Sequence, residues 1–528
     1  MKKILFFLLL TSTPVLLFSQ SHLDSYKLHN ENGFDKTLSS GNPLSNSISD
    51  IIALGDTIWL GTGNGVSLST DNGETWTNFY NDGTFGTESI AAIGFDKYHH
   101  TFWASTAHSK DVSGSTLPEG SGLHYTSDYG TTWHSVPQPL DNPEDSTIVY
   151  GINNGNQLPK VRALPVTVAI QNLVYDIGFT PDAIWIATFA GGLRKSTDMG
   201  QTWQRVLLPS DSVNSISPND TIDFALSPSS GNFGTGWLNH RVFSLAVAND
   251  STIYVGTANG INKTTNANDP DSLLRWTKFN HLNQENSISG NFVVALGYNQ
   301  VDSTIWGATW KAEGYTEYYG VSFSTDEGEN WQVVLPHEQV HNFGFKDDQP
   351  MAASDDGIFR SSNMGITWIL PGSIRDDKTN AAITTNVFYS AAASGDNVWV
   401  GSAQGLARLE ETGLMWNGSW KVYIAAPSTS ESYAFPNPFN PRLDEKITFK
   451  YNTQNKNENV TIRIFDFGMN FLRTVVQNAP RKISSSDPPY DSWDGKDNNG
   501  NLVPNGVYFY RIEIGSSDPL YGKIIVIK

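Results

Sequence analysis

Short apolar runs alternate with glycine- and aspartate-rich turns along most of this chain, and one phrase of the pattern recurs seven times. The phrase opens with an apolar run such as Ile58–Thr62, passes through a Gly-x turn and a second run, and closes on a polar turn ending in Trp76. Its first tryptophan position is filled in turn by Trp59, Trp103, Trp185, Tyr254, Trp306, Ala352 and Trp399. Copies lie 44 to 52 residues apart, except for spacings of 82 and 69 residues that contain insertions. Such a period, built from β-type runs, predicts a radial or stacked repeat.

Each repeat predicts four antiparallel strands. In the first repeat these are Ile48–Leu54, Thr57–Thr62, Gly65–Thr70 and Thr75–Phe79, separated by Gly, Asp and Asn turns. Seven such units match one closed ring of sheets, which leaves only short, protected edges. The sequence therefore predicts an all-β protein whose residues 21–424 form a seven-bladed β-propeller.

The polar turn has its own signature, Ser/Thr-x-Asp-x-Gly-x-x-Trp. Aspartate and asparagine side chains fold back onto backbone amides two residues on, and glycine adopts positive φ, so the signature predicts a hairpin turn. We interpret its tryptophan as packing between neighbouring sheets and its residues as structural. The five clearest copies contain Asp71 and Trp76, Asp128 and Trp133, Asp198 and Trp203, Asp326 and Trp331, and Asn363 and Trp368. These turns resemble the Asp-box, or bacterial neuraminidase, repeats of sialidases and many other propellers.

The resemblance to sialidases implies an active site with three arginines on the substrate carboxylate, a Tyr/Glu pair and an Asp acid. The Phe-Arg-Ile-Pro-type segment of those enzymes has no match beyond a faint echo at Arg162–Pro165. We interpret Arg194, Arg360 and Arg408 as equivalent outer-strand residues at the surface. No Ser-His-Asp order, HExxH, P-loop or dinucleotide motif occurs. The sequence thus predicts no catalytic residues, metal or cofactor, although two acidic residues across a pocket suffice for glycoside cleavage and leave no local motif.

The first twenty residues and the composition indicate the compartment. Met1–Gln20 carries Lys2 and Lys3, then an apolar stretch, then a small residue at Ser19, which predicts a cleaved secretory signal too short to span a membrane. The chain has no cysteine, which excludes disulfides, a thiol nucleophile and a lipoprotein anchor. Its net charge of −19 makes nucleic acid and anionic membranes unfavourable partners.

A second domain is expected after a small, polar linker at 425–432. Residues 433–528 predict a small immunoglobulin-like β-sandwich. The segments Phe435–Pro441, Trp493–Asn501 and Pro504–Arg511 resemble the immunoglobulin-like domain of flagellar hook-capping proteins and the C-terminal sorting domains of the type IX secretion system. That resemblance implies export through the periplasm by the type IX secretion machinery, with the protein secreted or held at the outer cell surface.

Four long insertions predict where a ligand binds. Ala107–Ser121, His134–Gln171, Gln204–His240 and Lys311–Tyr319 are all expected on one propeller face, around the second to fifth blades. Aromatic faces flanked by charged groups suit sugars or a peptide partner, while the structural alternative is that these aromatics anchor long loops. The binding hypothesis expects Trp310→Ala to leave stability almost unchanged. The candidate ligand-binding residues are Trp237, Trp310, Tyr315, Tyr319, Arg162, Arg241 and Glu313.

Three functional classes follow from these features. The first is a secreted or cell-surface, non-catalytic propeller that binds a glycan or an extracellular protein. The alternative is a carbohydrate-active enzyme, a sialidase-like glycoside hydrolase or lyase. The third is a sensory propeller of the kind fused to two-component kinases, but the sequence shows neither a transmembrane helix nor a kinase module. Because no catalytic set is visible and a fold alone does not license a reaction, the sequence favours the first class.

Overall fold

The computed structural model describes residues 38–152, 159–227, 238–311, 316–379, 381–425, 432–442, 444, 446–454, 456–483 and 491–528. Within these ranges the chain is almost entirely β, with only two short 3-10 helices at Leu238–His240 and Asp271–Leu273. No helix of the described residues is long and apolar enough to cross a membrane. The predicted signal segment, 1–20, lies outside the described residues.

Strands between residues 38 and 279 build the first four antiparallel sheets in chain order. The first sheet holds β1 (Leu38–Ser40), β2 (Ile48–Leu54), β3 (Thr57–Thr62), β4 (Gly65–Ser69) and β5 (Trp76–Phe79); the second holds β6 (Ser89–Asp96), β7 (Thr101–Val112), β8 (Ser115–Thr126) and β9 (His134–Val136). A separate hairpin of β10 (Thr147–Val149) and β11 (Lys160–Arg162) precedes the third sheet, β12 (Val174–Thr180), β13 (Ala183–Thr188), β14 (Gly192–Ser196) and β15 (Gln204–Arg205). The fourth holds β16 (Ser215–Ile216), β17 (Val242–Val247), β18 (Ile253–Thr257), β19 (Gly260–Thr264) and β20 (Trp276–Phe279).

Three further sheets follow the same order. The fifth holds β21 (Phe292–Asn299), β22 (Thr304–Trp310), β23 (Gly320–Ser324) and β24 (Gln332–Val334); the sixth holds β25 (Val340–Lys346), β26 (Gln349–Ser354) and β27 (Gly357–Arg360). A hairpin of β28 (Ile374–Arg375) and β29 (Ala382–Ile383) leads to the seventh sheet, β30 (Phe388–Ser394), β31 (Asn397–Ser402), β32 (Leu406–Glu411) and β33 (Gly418–Tyr423).

The first long strands of these sheets surround a central channel. β2, β6, β12, β17, β21, β25 and β30 each contact the next in this order, and β30 contacts β2. Sheets arranged radially around a closed ring of inner strands form a β-propeller, so the predicted propeller fold is confirmed. In the first sheet the predicted strand bounds agree with the observed ones to within one residue.

Each polar turn is held by the same set of hydrogen bonds. In the first turn the backbone amide of Gly73 donates to Ser69 Oγ (2.8 Å), and the amide of Thr75 donates to Asp71 Oδ1 (2.8 Å). The hydroxyl of Thr75 donates to Asp71 Oδ2 at 2.6 Å. The expected partner two residues on was therefore wrong: the carboxylate reaches the amide four residues on, because the serine hydroxyl occupies the nearer amides. The turns at Asp128, Asp198, Asp326 and Asn363 repeat this pattern.

The tryptophan that closes each turn packs against the preceding sheet, as predicted. Trp133 meets Trp59 edge-on, with ring centroids 6.2 Å apart and an interplanar angle of 83°. Trp368 meets Trp306 in the same way at 6.3 Å and 86°. Since the partner tryptophans sit on the second long strand of the sheet before, each turn locks two sheets together.

Basic residues reinforce these contacts from a position that the sequence did not reveal. Lys195, Lys263 and Arg408 lie opposite the second-strand aromatic and place their charge over its ring, at 4.9, 5.9 and 5.8 Å from the centroid. Each also pairs with a carboxylate in the next sheet, namely Asp271 (3.1 Å), Glu327 (2.6 Å) and Glu74 (3.6 Å). These three cations occupy equivalent positions in the repeat. The expected equivalence of Arg194, Arg360 and Arg408 was wrong, because Arg194 lies opposite Ile186 and Arg360 opposite Met351, one position away from the aromatic site.

The expectation that Arg194 and Arg360 lie at the surface is wrong, because both are 1% exposed. Arg194 donates to Asp141 (2.7 Å), and Arg360 forms a two-pronged pair with Glu411 (2.7 and 3.1 Å). A buried guanidinium requires such a paired carboxylate, since its desolvation would otherwise cost several kcal/mol.

Among the described residues, no strand is shared between the first and last sheets of the ring. All of β30–β33 comes from residues 388–423, and the first sheet is completed by β1 from the N-terminal side. Closure rests on side chains instead: Trp76 stands edge-on to Trp399 (6.2 Å, 86°) and to Tyr423 (5.7 Å, 80°). The amide of Ala425 also donates to Asn46 Oδ1 at 2.7 Å.

Described parts of two long insertions do not lie where the sequence analysis expected them. Tyr150 donates its hydroxyl to the Leu274 carbonyl (2.8 Å), on the connection between β19 and β20 and thus on the turn face. β16 adds to the outer edge of the fourth sheet. The described parts of the insertions at 134–171 and 204–240 around Tyr150 and Leu226 therefore run along the outside between the third and fourth sheets, in one cluster with Trp185. Ala169 and Gln171, by contrast, bond to Gly120 and Pro118 of the Ala107–Ser121 insertion. The expectation that all four insertions share one face was wrong for the parts around Tyr150 and Leu226.

Residues 432–528 form two antiparallel sheets around a core of their own. One has the order β34 (Tyr433–Phe435), β35 (Ile447–Lys450), β38 (Asp491–Trp493); the other has the order β37 (Phe471–Arg481), β36 (Glu458–Phe465), β39 (Gly506–Ile514), β40 (Leu520–Val526). This unit also touches the propeller. Phe435 is buried in the same cluster as Trp416 and Trp420, and Arg375 pairs with Asp444 at 2.8 Å.

The closure contact generates a test with a matched control. Gly73 and Gly413 occupy the same turn position with φ of +80° and +79°, but a Cβ on Gly73 would lie 2.6 Å from Trp399 Cη2, whereas nothing lies within 4 Å at Gly413. Gly413→Ala should cost about 1–2 kcal/mol for its left-handed backbone. Gly73→Ala should cost about 1–3 kcal/mol more through overpacking at the seam, measured by urea unfolding. Equal losses of unfolding free energy in the two variants would show that the contact between the first and seventh sheets accommodates the added methyl group without cost.

Candidate functional site

All seven inner strands carry a β-bulge near their first residue. A bulge redirects side chains and often lies beside a functional site. The register breaks lie at Ile48/Asp50, Ile90/Ala92, Val174/Asp176, Val242/Ser244, Val293/Ala295, Val340/Asn342 and Phe388/Ser390. The bulged residues of the first six sheets, Ser49, Ala91, Tyr175, Phe243, Val294 and His341, all line one cavity. The repeated distortion therefore builds a concave site at one end of the channel.

This channel cavity has a volume of about 190 Å³ and combines an aromatic wall with polar groups. Tyr175, Phe243 and Trp310 contribute aromatic rings, while Asp50 and Asp176 contribute carboxylates. The cavity lies where the inner strands begin, which is the face formed by the sheet-to-sheet connections and opposite the polar turns.

The two carboxylates tie neighbouring sheets together. Asp176 Oδ2 accepts a hydrogen bond from the backbone amide of Leu245 in the fourth sheet, at 2.7 Å. Asp50 accepts one from the amide of Ile93 in the second sheet, and Asn342 Nδ2 donates to Asp50 Oδ1 at 3.2 Å. Both aspartates thus have a structural role, although each is still partly accessible from the cavity.

Their surroundings oppose ionisation. Burial, and after it the charge of Asp176, raises the pKa of Asp50 to about 7. Burial raises the pKa of Asp176 to about 6, against the effect of its two backbone donors. The pair therefore titrates near neutral pH, as expected for two buried carboxylates that share one cavity.

An aromatic cluster lies at the mouth of this cavity. We call it the mouth cluster; it consists of Phe189, Phe243, Phe292 and Trp310, with Tyr319 packed against them. Trp310 is 1% exposed, and its indole Nε1 donates to the Val340 carbonyl at 2.8 Å. Tyr319 is half-buried, and burial followed by the charge of Asp355 raises its pKa.

The structure brings together three of the candidate ligand-binding residues. Trp310 and Tyr319 belong to the mouth cluster, and the guanidinium of Arg241 lies 5.3 Å from the ring centroid of Phe189 in the same cluster. Arg162 does not join them: it is exposed on β11, opposite Thr147 in the separate hairpin. Trp237, Glu313 and Tyr315 lie outside the described residues.

Sequence reasoning missed Asp50, Asp176 and Asn342. A signal for them exists, because the three residues occupy the same repeat position, directly after the bulge, in the first, third and sixth sheets. An alignment of the repeats by their inner strands would have shown these three polar residues at a position that is alanine in two other copies, at Ala92 and Ala295. Their convergence on one cavity depends on ring closure, which the local pattern does not contain.

No family model matches this chain, and no curated protein matches it. Among solved structures, it is similar to PorZ, an essential bacterial surface component of the type-IX secretion system of Porphyromonas gingivalis (13% identity, 91% of this chain, 75% of that chain, TM-score 0.31). YCF48 from Cyanidioschyzon merolae (17%, 69% and 94%, TM-score 0.38) and the GH74 xyloglucanase from Xanthomonas campestris (11%, 90% and 68%, TM-score 0.28) are also similar. At these identities and TM-scores the likenesses carry no argument about function, and the fold follows from the strand order.

The burial of Trp310 changes the expected effect of its removal. Trp310→Ala should destabilise the protein by about 3–5 kcal/mol, because it leaves a cavity and an unpaired Val340 carbonyl. Trp203→Ala should cost less, since Trp203 is only partly buried. Urea unfolding of both variants tests this order, and a Trp310→Ala protein as stable as the wild type would contradict it.

The raised pKa values predict how stability depends on pH. Because the folded state holds the Asp50 proton up to about pH 7, while the unfolded chain releases it near 3.8, this group lowers stability as pH rises through that window. Asp50→Asn removes the effect. The melting temperature of the variant relative to the wild type should therefore increase from pH 4 to pH 7.5, and a pH-independent difference would refute the assignment.

Proposed function

We propose that this chain is a non-catalytic binding protein of the cell exterior that takes a carbohydrate or protein ligand at the channel face. The observation that carries the proposal is the channel cavity, in which six repeated bulges converge beneath the mouth cluster. Concave, largely apolar sites with a few convergent polar groups are the usual form of ligand sites.

The proposal includes the architecture inferred from the sequence. The ring of sheets is a seven-bladed propeller of the Asp-box type, supported by the shared hydrogen bonds of five turns and the contacts between inner strands. Residues 433–528 are an immunoglobulin-like sorting domain, supported by two antiparallel sheets with their own core. Residues 1–20 are a secretory signal, and the type IX machinery delivers the protein to the surface.

The carboxylate pair supports a second candidate, a carbohydrate-active enzyme. Glycosidases use one protonated and one ionised carboxyl group, and raised pKa values at Asp50 and Asp176 satisfy part of that requirement. The hydrogen bonds argue for binding instead. Both carboxylates accept backbone amides from adjacent sheets, so they are held in place by the fold rather than turned toward a scissile bond.

A glycan and surface-protein array, assayed for both binding and cleavage, tests the proposal. Tyr319→Ala should weaken binding about thirtyfold, the effect of removing an aromatic anchor worth about 2 kcal/mol. Tyr129→Ala is the control, because Tyr129 is 63% exposed on the turn face. Equal losses in both variants would remove the channel face as the site. Glycan cleavage that disappears in Asp50→Asn would make the protein an enzyme.

The sorting proposal has a separate test, for which the structure supplies the cut site. A chain ending at Phe435 keeps the aromatic ring that packs with Trp416 and Trp420, whereas one ending at Ser432 loses it. The longer truncation product should fold but remain inside the cell, as judged by fractionation and protease resistance. Its normal delivery to the surface would rule out a sorting role for residues 436–528.

A further inference from the structure

The channel cavity is too small for a sugar chain and suits one compact group. Its volume of about 190 Å³ is well above the roughly 10–15 Å³ of cavity volume that one water molecule needs, yet below the roughly 300–1,000 Å³ of sites for drug-sized ligands. A ligand that reaches this depth therefore inserts a single head group or side chain while its remainder contacts the mouth cluster.

The charge inside the cavity is one-sided. Asp50 and Asp176 approach it from two different sheets, and none of the described residues that line it is Lys or Arg. The histidine of the lining, His341, pairs with Asp355, with Nε2 2.8 Å from Asp355 Oδ1. Two buried carboxylates without a cation beside them are costly, so a cationic ligand gains more there than at the surface.

The walls select the kind of cation. Tyr175, Phe243 and Trp310 line the same cavity, and aromatic rings attract organic cations. A bare metal ion would need several hard ligands, and the described residues contain no group of three or more His, Asp or Glu placed to hold one. Aromatic walls with carboxylates at the base are instead the chemistry that recognises alkylated ammonium groups.

We propose that the channel cavity binds an organic ammonium group, carried either by a small solute or by a side chain of a protein ligand. The proposal rests on the binding function of the channel face and specifies what its deepest point recognises. The ammonium sits between Asp50 and Asp176, its alkyl groups contact Tyr175 and the edge of Phe243, and the remainder of the ligand extends past Tyr319.

Binding of this kind is coupled to protons. The groups that face the two carboxylates are Asn342, His341 with its partner Asp355, and Tyr175. A cation between the carboxylates favours their ionised forms and so lowers both pKa values, which are raised in the empty site. Affinity should consequently rise from pH 5 to pH 8, and complex formation near pH 6.5 should release protons.

Calorimetry on the full chain with choline tests the proposal. The matched control ligand is 3,3-dimethyl-1-butanol, which has the same shape with a carbon in place of the charged nitrogen. Choline should bind at pH 8 at least tenfold more tightly than the neutral isostere. Its heat at pH 6.5 should differ between buffers of different ionisation enthalpy, because protons are released. A trimethyllysine peptide, run beside choline, separates the two carriers: tighter peptide binding identifies a side chain, and tighter choline binding a solute.

Three variants locate the site. Asp176→Asn and Tyr175→Leu should each weaken choline binding at least tenfold. Tyr175→Leu leaves the backbone bonds of Asp176 intact and so remains informative if Asp176→Asn unfolds. Asp326→Asn is the control, because Asn363 fills the same turn slot naturally. Equal binding of choline and 3,3-dimethyl-1-butanol would overturn the proposal. So would the absence of binding of both choline and the trimethyllysine peptide. A glycan or protein ligand that still depended on Tyr319 would then leave the binding function standing.

Discussion

The contact between each polar turn and the sheet before it is the interaction on which the rest of this structure depends. A turn presents a glycine, a tryptophan and an acidic residue to its neighbour, and the neighbour offers an aromatic ring and, in three sheets, a stacked cation. No single sheet of four strands buries both of its faces. Each sheet becomes stable only when the next sheet covers its exposed face. Every sheet has such a neighbour only when the sheets form a closed ring.

The channel cavity is a consequence of the closed ring of sheets. Seven inner strands must bend toward one axis, and a bulge at the same position in every strand accommodates the bend. The residues next to the bulges face the axis, where only small or polar side chains and a few rings are accommodated. Asp50 and Asp176 illustrate how one side chain serves two purposes, since the hydrogen bonds that join the sheets also fix two acids in a confined space.

Whether a contact could be predicted from the sequence depends on how far apart its two residues lie along the chain. Strand bounds in the first repeat, the turns and the tryptophan contacts depend on residues within one or two repeats, and the pattern shows these directly. The burial of Arg194 could not be read, because its partner Asp141 is 53 positions away in an insertion. The path of the insertions was hidden for the same reason: Tyr150 finds its acceptor at Leu274, 124 positions on. The meeting of Asp50 with Asn342, 292 positions apart, requires the whole ring.

The seam of the ring has a topological consequence. Because no strand of the described residues crosses from the first sheet to the seventh, their joint relies on contacts that also occur at other joints. It has an edge-on tryptophan, as do the first–second and fifth–sixth joints, and a stacked cation with a paired acid, as do the third–fourth and fourth–fifth joints. The two ends of the ring also meet there, where Ala425 bonds to Asn46. The order of the sheets around the ring therefore does not depend on where the chain starts. A circularly permuted chain, in which residues near Asn46 and Ala425 are joined and new termini are opened between two other sheets, would form the same set of contacts.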